Sequence, residues 1–330
     1  MKIALLDDYQ GVALDSADWS AVTSQAEITV FQDTITDLDA LVARLRDFAV
    51  IGIMRERTPF PKALLERLPN LKLLVTTGHR NDSVDVAAAK ALGITVCGTP
   101  SSAHAASELT WALIMAAARR LDLEMQSFRD GGWQVGLGRD LKGATLGVIG
   151  LGRLGGQVAG FGRAFGMRVI AWSQNLTAER ATEAGAEAVD KETLFREADF
   201  VTLHLRLSDR SRGLVNAEML ALMKPDAWVV NTSRGPIIDR PALLAALKEK
   251  RIGGAALDVF EEEPPTQRRL LQLPQVIATP HLGGSTTEAQ VEVGRRIAAQ
   301  VASFLLHGDL QHCINPQAVS GHGGPRPGTI

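Results

Sequence analysis

Two series of short apolar runs, separated by stretches of helical periodicity, constrain the fold of this 330-residue chain. In residues 1–100 the strand-like runs are KIALL, EITVF, FAVIGIM, LKLLVTT and GITVC. Between them, apolar residues recur at helical spacing, as in TDLDALVARLRD and SVDVAAAKAL. Strands that alternate with helices are typical of a parallel sheet covered by helices. The first part of the chain is therefore predicted to be an α/β domain.

The second series begins at ATLGVIG, and its strand-like runs are TLGVIG, MRVIAW, FVTLHL, WVVNTS, GGAALDV and QVIATP. A chain of 330 residues that is 45% apolar exceeds what one hydrophobic core usually serves. We therefore expect two α/β domains, one of residues 1–100 with 286–330 and the other of residues 101–285.

Two long helices are predicted outside these series. An uninterrupted Ala-, Leu- and Met-rich stretch predicts one helix from about Ala105 to Met125. The run STTEAQVEVGRRIAAQVASFLLHG predicts another, with Glu288 three residues beyond Ser285 in the pattern of a capping box. This last helix follows the final strand of the second series, so it can return to the first domain.

The stretch GVIGLGRLGG places Gly150, Gly152 and Gly155 in the G-x-G-x-x-G spacing, directly after a strand and at the start of a helix. In that context the motif predicts a dinucleotide-binding turn. Gly150 allows the tight turn, Gly152 lets the backbone approach the pyrophosphate, and Gly155 lets helix and strand pack closely. Arg153 is interpreted either as a pyrophosphate contact or as a surface residue.

An acidic residue that binds the ribose hydroxyls is expected at the end of the next strand. The sequence there is VIAWSQN, with Ser173 in the place of the acid. Without that carboxylate a 2′-phosphate is not repelled, yet Gln174 and Asn175 supply no arginine to attract one. The cofactor is therefore predicted to be NAD or NADP, with the choice open.

Composition narrows the classes of partner. The net charge is −2 and charged residues make up 22% of the chain, which disfavours binding to nucleic acid or to anionic membranes. The opening MKIALLDD has no signal-peptide character, so a cytoplasmic location is expected. Cys97 and Cys313 are far apart and lack partners at metal-ligand spacing, so neither a disulfide nor a zinc site is predicted, and no metal is expected in the function.

Three further segments follow predicted strands of the second series: NTSRG, LDVFEEEP and TPHLGGST. Open α/β sheets bind their ligands at the carboxyl ends of the strands. The segments offer a cation, a carboxylate and an imidazole, a set suited to binding an anionic keto acid and moving a proton.

Taken in order with GLGRLG, these segments resemble the D-isomer-specific 2-hydroxyacid dehydrogenase family, from Lys2 to about Pro316. The resemblance implies a Rossmann dinucleotide-binding domain inserted in a flavodoxin-like substrate domain. It also implies an oxidoreductase that transfers a hydride between a nicotinamide cofactor and a small 2-keto or D-2-hydroxy acid. A homodimer formed through the helix from about Ala105 and the segment around Trp133 is implied as well, although Trp133 could instead anchor the core.

Carried over by position, the resemblance assigns catalysis to three residues. Arg234 would hold the substrate carboxylate and carbonyl oxygen, His281 would be the proton donor in reduction, and Glu263 would pair with His281. The other glutamates of EEE, Glu261 and Glu262, are expected to be solvated.

The resemblance also implies two sets of binding residues. The implied cofactor contacts are Gly150, Gly152, Arg153, Leu154, Gly155, Ser173, Thr232, Ser233, Asp258, Gly283 and Gly284. The implied substrate contacts are Arg55, Gly78, His79 and Arg80. Arg57 falls beside them, and for Arg55 and Arg57 ordinary surface charge is an equal alternative.

A function of a different class shares the same architecture: a cofactor-sensing scaffold like the transcriptional co-repressors, with no metabolic turnover. The three catalytic residues do not exclude it. Formate dehydrogenases of this fold are disfavoured, because the resemblance leads one to expect glutamine where this chain has Glu263. Among the remaining histidines, His204 alone stays open, since it ends a strand near the predicted cofactor turn.

Overall fold

A computed structural model describes residues 1–99, 104–266, 268–308, 310 and 312–315. The chain divides into two compact units. The first unit comprises Met1–Ser102 and Thr286–Ile330, and the second comprises Ala103–Ser285. Within the described ranges, no helix is both long enough and apolar enough to cross a membrane.

The strands of the described residues form two sheets in which every pair of neighbours is parallel. Numbered along the chain, they are β1 (Lys2–Leu5), β2 (Glu27–Val30), β3 (Val50–Ile53), β4 (Leu73–Thr76), β5 (Thr95–Gly98), β6 (Thr145–Ile149), β7 (Arg168–Trp172), β8 (Glu187–Ala188), β9 (Phe200–Leu203), β10 (Trp228–Asn231), β11 (Gly254–Leu257) and β12 (Val276–Ala278).

The helices of the described residues lie between the strands and after the last of them. They are α1 (Ser20–Thr23), α2 (Leu38–Leu45), α3 (Lys62–Leu65), α4 (Val86–Ala91), α5 (His104–Arg119), α6 (Leu121–Arg129), α7 (Arg153–Ala164), α8 (Ala178–Glu183), α9 (Lys191–Glu197), α10 (Ala217–Leu222), α11 (Arg240–Lys248) and α12 (Thr287–His307). A 3-10 turn spans Gly235–Ile237.

The sheet of the first unit has the order β2-β1-β3-β4-β5, which is the flavodoxin-like order. Side chains alternate between its faces, as expected for strands buried on both sides. Ile3 packs with Trp19 and with Ile297 of α12, whereas Ala4 packs on the opposite face with Phe60. Helix α12 therefore belongs to the core of the first unit, although it follows the second unit in the chain.

The sheet of the second unit has the order β12-β11-β10-β9-β6-β7-β8. From β6 the order runs to β7 and β8 on one side, and to β9, β10, β11 and β12 on the other. This is the Rossmann arrangement with β12 as one further strand at its edge. One row of paired residues closes the sheet at its carboxyl edge: Trp172, Ile149, Leu203, Asn231, Leu257 and Ala278. Every segment predicted to carry chemistry in this unit follows directly on that row. The two-sheet α/β fold expected from the sequence is thus observed, and the short edge strand β8 is the strand that the pattern did not predict.

Polar side chains cap seven helix starts in the described chain by accepting a backbone N–H. The capping residues are Asp37, Asp85, Thr177, Asp190, Asn216, Asp239 and Thr286. The predicted capping box of α12 is wrong by one residue, because Thr286 rather than Ser285 accepts the N–H of Ala289. Glu288 is then the second helical residue, too early to complete such a box.

The single helix predicted from about Ala105 to Met125 is also wrong. It is divided into α5 and α6 at Arg120, whose backbone is left-handed with φ 50°. The break points the Arg120 side chain at Trp228, with the guanidinium carbon 5.6 Å from the ring centre. Nη2 of Arg120 also donates to the carbonyl of Pro274 at 3.4 Å. Neither glycine nor proline lies at this position. We therefore attribute the end of the helix to the tertiary contacts of Arg120 rather than to local propensity.

Candidate active site

The turn that follows β6 is shaped by its glycines. Gly150 has φ 95°, and a Cβ there would lie 2.7 Å from the carbonyl oxygen of His204. A Cβ at Gly155 would overlap the carbonyl oxygen of Gly150, so any larger residue would push α7 away from β6. Gly152 and Arg153 are exposed at the start of α7, and Leu154 is half-buried. The turn therefore leaves an accessible helix N-terminus, and its shape fits a bound pyrophosphate.

Ser173 follows β7, the neighbour of β6. The N–H of Gly150 donates to the carbonyl of Trp172 at 2.8 Å, so Ser173 lies one residue beyond a direct contact with the glycine turn. Its own carbonyl accepts the N–H of Leu176 at 3.0 Å, while Gln174 is exposed. This is where a residue would meet the adenosine ribose in a Rossmann domain.

The turn after β10 is held by Asn231, a buried residue that sequence reasoning missed. Its amide donates to the carbonyl of Arg234 at 2.9 Å and accepts the N–H of Ser233 at 3.0 Å. The hydroxyl of Ser233 donates to the carbonyl of Leu203 at 2.6 Å, which joins the ends of β9 and β10. The backbone of Arg234 is thereby fixed from both sides, and Nη1 of its half-buried side chain donates to the carbonyl of Ser233 at 2.7 Å.

Two contacts join this turn to its neighbours. A Cβ at Gly235 would overlap the backbone of Phe260, so the glycine of NTSRG is needed for close packing against the turn that follows β11. The hydroxyl of Thr232 lies 2.6 Å from that of Thr110 on α5. The Arg234 turn therefore lies directly beside the EEE segment.

The three consecutive glutamates have three different partners. Oε2 of Glu261 lies 3.4 Å from Nε of Arg240. Oε2 of Glu262 accepts the hydroxyl of Thr266 at 2.6 Å. Glu263 turns the other way, since its Oε2 lies 2.5 Å from Nδ1 of His281. Glu261 and Glu262 are exposed, as expected, but each is engaged with a neighbour rather than only with solvent.

His281 is held by its backbone as well as by its contact with Glu263. Its backbone is left-handed at φ 52°, which is uncommon for a residue with a side chain. The His281 N–H donates to the carbonyl of Asp258 at 2.9 Å. Glu263 is itself braced, because its Oε1 accepts the N–H of Phe260 at 2.9 Å. With Nδ1 bound to a carboxylate, Nε2 is the ring atom that can exchange a proton with a ligand.

Asp258 is fully buried beneath this turn. Its carboxylate accepts the hydroxyl of Thr279 and the N–H of Leu282, both at 2.6 Å, and the N–H of Gly283 at 2.9 Å. Burial raises the pKa of Asp258, and these three hydrogen bonds oppose that rise. The family resemblance implied a cofactor contact for this residue. The structure shows its carboxylate bound to the Thr279 hydroxyl before the TPHLGG histidine and to two backbone N–H groups after it.

In the first unit, Gly78 follows β4 with φ 96°. Its N–H donates to the hydroxyl of Thr99 at 3.1 Å, and its carbonyl accepts the N–H of Thr99 at 2.9 Å. His79 and Arg80 are exposed immediately after it. Nη1 of Arg55 lies 2.9 Å from the position that a Cβ on Gly78 would take, so Arg55, Gly78, His79 and Arg80 lie in one region.

Arg57 is held apart from that group. Its Nη1 donates to the carbonyl of Asp7 at 2.7 Å, and its guanidinium lies 4.5 Å from the ring centre of Tyr9. Asp7 is fully buried with φ 60°, and it accepts the hydroxyl of Thr58 at 2.8 Å. Burial raises the pKa of Asp7. This polar cluster gave no signal in the sequence, because its members come from the segments that follow two different strands, β1 and β3.

His204, left open above, is in contact with the glycine turn through its backbone carbonyl. Its Nε2 lies 3.0 Å from the hydroxyl of Thr202. Burial lowers the pKa of His204 to about 4, so the ring is neutral near pH 7. A neutral ring that is already hydrogen-bonded fits a packing role rather than proton exchange.

Comparison with known proteins agrees with this geometry. Residues 111–283 match the D-isomer specific 2-hydroxyacid dehydrogenase family, NAD binding domain. The match spans the glycine turn and the Arg234, Glu263 and His281 segments. The chain belongs to this family, and its second unit carries the family's NAD-binding domain.

Individual relatives cover more of the chain. D-3-phosphoglycerate dehydrogenase of Synechocystis is 37% identical over 323 residues, which are 95% of this chain and 56% of that protein. Glyoxylate reductase of Thermococcus litoralis is 38% identical and covers 83% of each chain. The crystal structure of phosphoglycerate oxidoreductase from Vibrio cholerae O395 superposes with a TM-score of 0.87 at 39% identity, over 92% of this chain and 99% of that one. The chain spans about half the length of the phosphoglycerate dehydrogenases that it matches, 56% and 52% in two cases.

Proposed function

We propose that the chain is a cytoplasmic oxidoreductase that interconverts a small 2-keto acid and its D-2-hydroxy acid. The observation that carries the proposal is the 2.5 Å pair of His281 with Glu263, beside the Arg234 turn in a family NAD-binding domain. A bound nicotinamide cofactor would supply or accept the hydride. The second unit would bind that cofactor and hold the proposed catalytic residues, and substrate contacts are proposed for the first unit as well.

Arg234 would bind the carboxylate and carbonyl oxygen of the keto acid. Its backbone is fixed by Asn231, and its guanidinium is partly sheltered, which strengthens its attraction for an anion relative to a fully solvated arginine. A cation beside the carbonyl oxygen also stabilises the negative charge that develops there during reduction.

His281 would deliver the proton to that oxygen from Nε2 and recover it in oxidation. Glu263 would orient the ring through Nδ1 and hold it in position for the proton transfer. Asp258 would act as a positioning residue, since its carboxylate binds the backbone on the far side of His281. The imidazole that carries the proton would thus be fixed by the turn that follows β11 and by the turn that follows β12.

The cofactor would be held by the glycine turn and by the neighbouring strand ends. Gly150, Gly152 and Gly155 shape the pyrophosphate site, with Arg153 and Leu154 at the start of the helix. Further contacts are proposed for Ser173, Thr232, Ser233, Asp258, Gly283 and Gly284. Ser173 carries no charge that would discriminate NAD from NADP, so use of both cofactors is expected.

In the first unit, the substrate carboxylate would be bound at the Gly78 turn. The N–H of Gly78 is already engaged by Thr99, so the proposed backbone contacts are those of His79 and Arg80. Arg55 reaches the same turn and would add a cation. Arg57 is occupied by Asp7 and Tyr9, and it is the weaker candidate for a substrate contact.

We also propose a homodimer formed through α6 and the segment after it. Four apolar side chains there are strongly exposed in the single chain: Phe128 at 66%, Trp133 at 72%, Val135 at 60% and Leu137 at 96%. Trp133 packs against Phe128 with ring centres 5.9 Å apart. Several strongly exposed apolar side chains in one short segment often mark a protein interface. Neither nucleic acid nor a membrane is proposed as a partner.

The test is oxidation of NADH and NADPH, measured separately, with glyoxylate, hydroxypyruvate, phosphohydroxypyruvate and longer 2-keto acids. Turnover that disappears in Arg234→Ala and His281→Ala, with cofactor binding retained, is the expected result. Tight cofactor binding without turnover on any of these acids would instead support the cofactor-sensing scaffold.

A further inference from the structure

Cys97 and Cys313 are 216 residues apart in the chain, and their sulfur atoms lie 3.4 Å apart. Both are free thiols. They are the two cysteines of the whole sequence, and nothing in their spacing suggested a partnership. The fold of the first unit brings them together by pairing β5 with residues near Cys313.

The backbone around the two thiols is suited to a covalent link. Cys97 and Cys313 form an isolated antiparallel bridge. The N–H of Gly98 donates to the carbonyl of His312 at 3.1 Å, and the N–H of Ile314 donates to the carbonyl of Val96 at 2.8 Å. The hydrogen bonds therefore flank the cysteines, which form a non-hydrogen-bonded pair. Such pairs have Cα atoms about 4.5 Å apart, within the range of roughly 4.4–6.8 Å that disulfides require.

The two thiols differ in reactivity. Cys97 is fully buried, and both its hydrogen bond with Cys313 and its burial raise the pKa of Cys97. Cys313 is partly exposed, and the hydrogen bond from Cys97 lowers the pKa of Cys313. The thiolate is the reactive form of cysteine. Cys313 is thus placed to react first with a molecule from solvent, and Cys97 to resolve the product.

We propose that Cys97 and Cys313 form a reversible disulfide when the protein meets a low-molecular-weight disulfide. The thiolate of Cys313 attacks one sulfur of that disulfide, forms a mixed disulfide and releases one small thiolate. Cys97 then loses its proton and attacks Sγ of Cys313, which releases the second small thiol. The two cysteines are oxidised by two electrons in total, and the small disulfide is reduced to two thiols.

The pair adjoins the turn to which substrate binding is assigned, and this part of the inference rests on the proposed function. A Cβ at Gly98, the residue after Cys97, would lie 2.6 Å from the carbonyl oxygen of Gly78 and 2.9 Å from that of His79. Disulfide formation draws the sulfur atoms from 3.4 Å to about 2.05 Å. Because the backbone of Gly98 is packed directly against the backbone of Gly78 and His79, that movement is expected to displace the Gly78 turn and raise KM for the keto acid.

The chemical test uses the whole chain, reduced and then incubated with glutathione disulfide. The expected result is loss of both thiols, a mass lower by two hydrogens and a proteolytic peptide that joins Cys97 to Cys313. Dithiothreitol should restore both thiols. Retention of the thiols, glutathione adducts alone, or crosslinks only between separate chains would overturn the proposal.

Two variants keep the test decisive. Cys313→Ser leaves the buried core intact and should yield no internal crosslink. Cys97→Ala should accumulate a stable glutathione adduct on Cys313, since the resolving thiol is gone. If Cys97→Ala fails to fold, the Cys313→Ser result and the wild-type peptide map still decide the proposal.

The functional arm compares KM for the best keto acid in the oxidised and reduced wild type. A rise of at least roughly threefold on oxidation, reversed by dithiothreitol and absent in Cys313→Ser, is expected. An unchanged KM in the crosslinked protein would overturn the link to the Gly78 turn but not the disulfide. Absence of turnover in the reduced protein would count against the proposed function, while the thiol and mass measurements would still test the disulfide.

Discussion

Nδ1 of His281 and Oε2 of Glu263 lie 2.5 Å apart, although the two residues are 18 positions apart in the chain. The contact joins the turn that follows β12 to the turn that follows β11, and these two strands are neighbours in the sheet. It directs one nitrogen of the imidazole at a carboxylate and leaves the other for a ligand. This pair is the feature on which the proposed proton transfer depends.

Glu263→Gln should lower kcat/KM for keto-acid reduction by roughly 10- to 100-fold at neutral pH. Glutamine keeps the size of the side chain but replaces the carboxylate that holds Nδ1 of His281, so the imidazole is oriented less firmly. Initial-rate kinetics with saturating cofactor would measure this. Glu261→Gln and Glu262→Gln are matched controls that alter the same segment, and both should retain wild-type rates. A larger loss in either control than in Glu263→Gln would contradict the assignment.

Ser173→Asp should reduce the use of NADPH relative to NADH by at least roughly tenfold, or about 1.4 kcal/mol, since a carboxylate binds the ribose hydroxyls and repels a 2′-phosphate. The ratio of kcat/KM for the two cofactors is the quantity to compare. Ser173→Asn, which adds similar volume without charge, is the control. An unchanged ratio in the aspartate variant would show that Ser173 does not contact the adenosine ribose.

Asp258→Asn should destabilise the His281 turn, because an amide nitrogen would face one of the backbone N–H groups that the buried carboxylate now accepts. We expect the free energy of unfolding to fall by about 1–3 kcal/mol, with a loss of turnover beyond any loss of cofactor affinity. Denaturant unfolding and cofactor titration would separate the two effects. Asp226→Asn, at an aspartate whose side chain is 71% exposed, should change neither.

His204 should make the stability of the chain sensitive to acid. Burial lowers its pKa to about 4 from an ordinary value of 6.5, so between those values the unfolded chain binds a proton that the folded chain does not. The stability that depends on a neutral His204 is fully present above pH 6.5 and is lost as the pH falls towards 4. The loss amounts to about 3 kcal/mol at most.

The comparison of wild type with His204→Gln isolates the effect of histidine protonation on the free energy of unfolding, because glutamine can keep the hydrogen bond to Thr202 but does not titrate. Urea unfolding of both proteins at several pH values across this interval would show wild-type stability falling more steeply than that of the variant. Parallel pH profiles would show that His204 is protonated as readily in the folded state as in the unfolded chain.

Leu137→Ser combined with Trp133→Ser should weaken the proposed dimer, since these side chains are 96% and 72% exposed in the isolated chain. Light scattering at micromolar concentration is expected to show a dimer for the wild type and a shift towards monomer for the double variant. Tyr9→Ser, at an exposed aromatic residue of the first unit, is the control and should remain dimeric. A monomeric wild type would remove the proposal.

Much of the architecture was accessible from local pattern. Runs such as KIALL and TLGVIG are continuously apolar because their strands are buried on both faces, and strands of this kind need helices to cover them. The glycines of GLGRLG were equally informative, because the turn they form is made by residues adjacent in sequence. The helix break at Arg120 was missed, since it depends on a contact with Trp228, 108 residues away.

The sequence by itself determined the two parallel-sheet domains and the glycine turn, because each depends on periodicity or on short-range spacing. The catalytic roles of Arg234, Glu263 and His281 are implied by the family resemblance. Only the tertiary structure decided which partners Glu261 and Glu262 have, how Asn231 and Asp258 hold the neighbouring turns, and that Cys97 meets Cys313. These contacts join strand ends and segments that are distant in the chain. Their geometry follows from sheet order and register, which set the partners of each residue only once the whole core has packed.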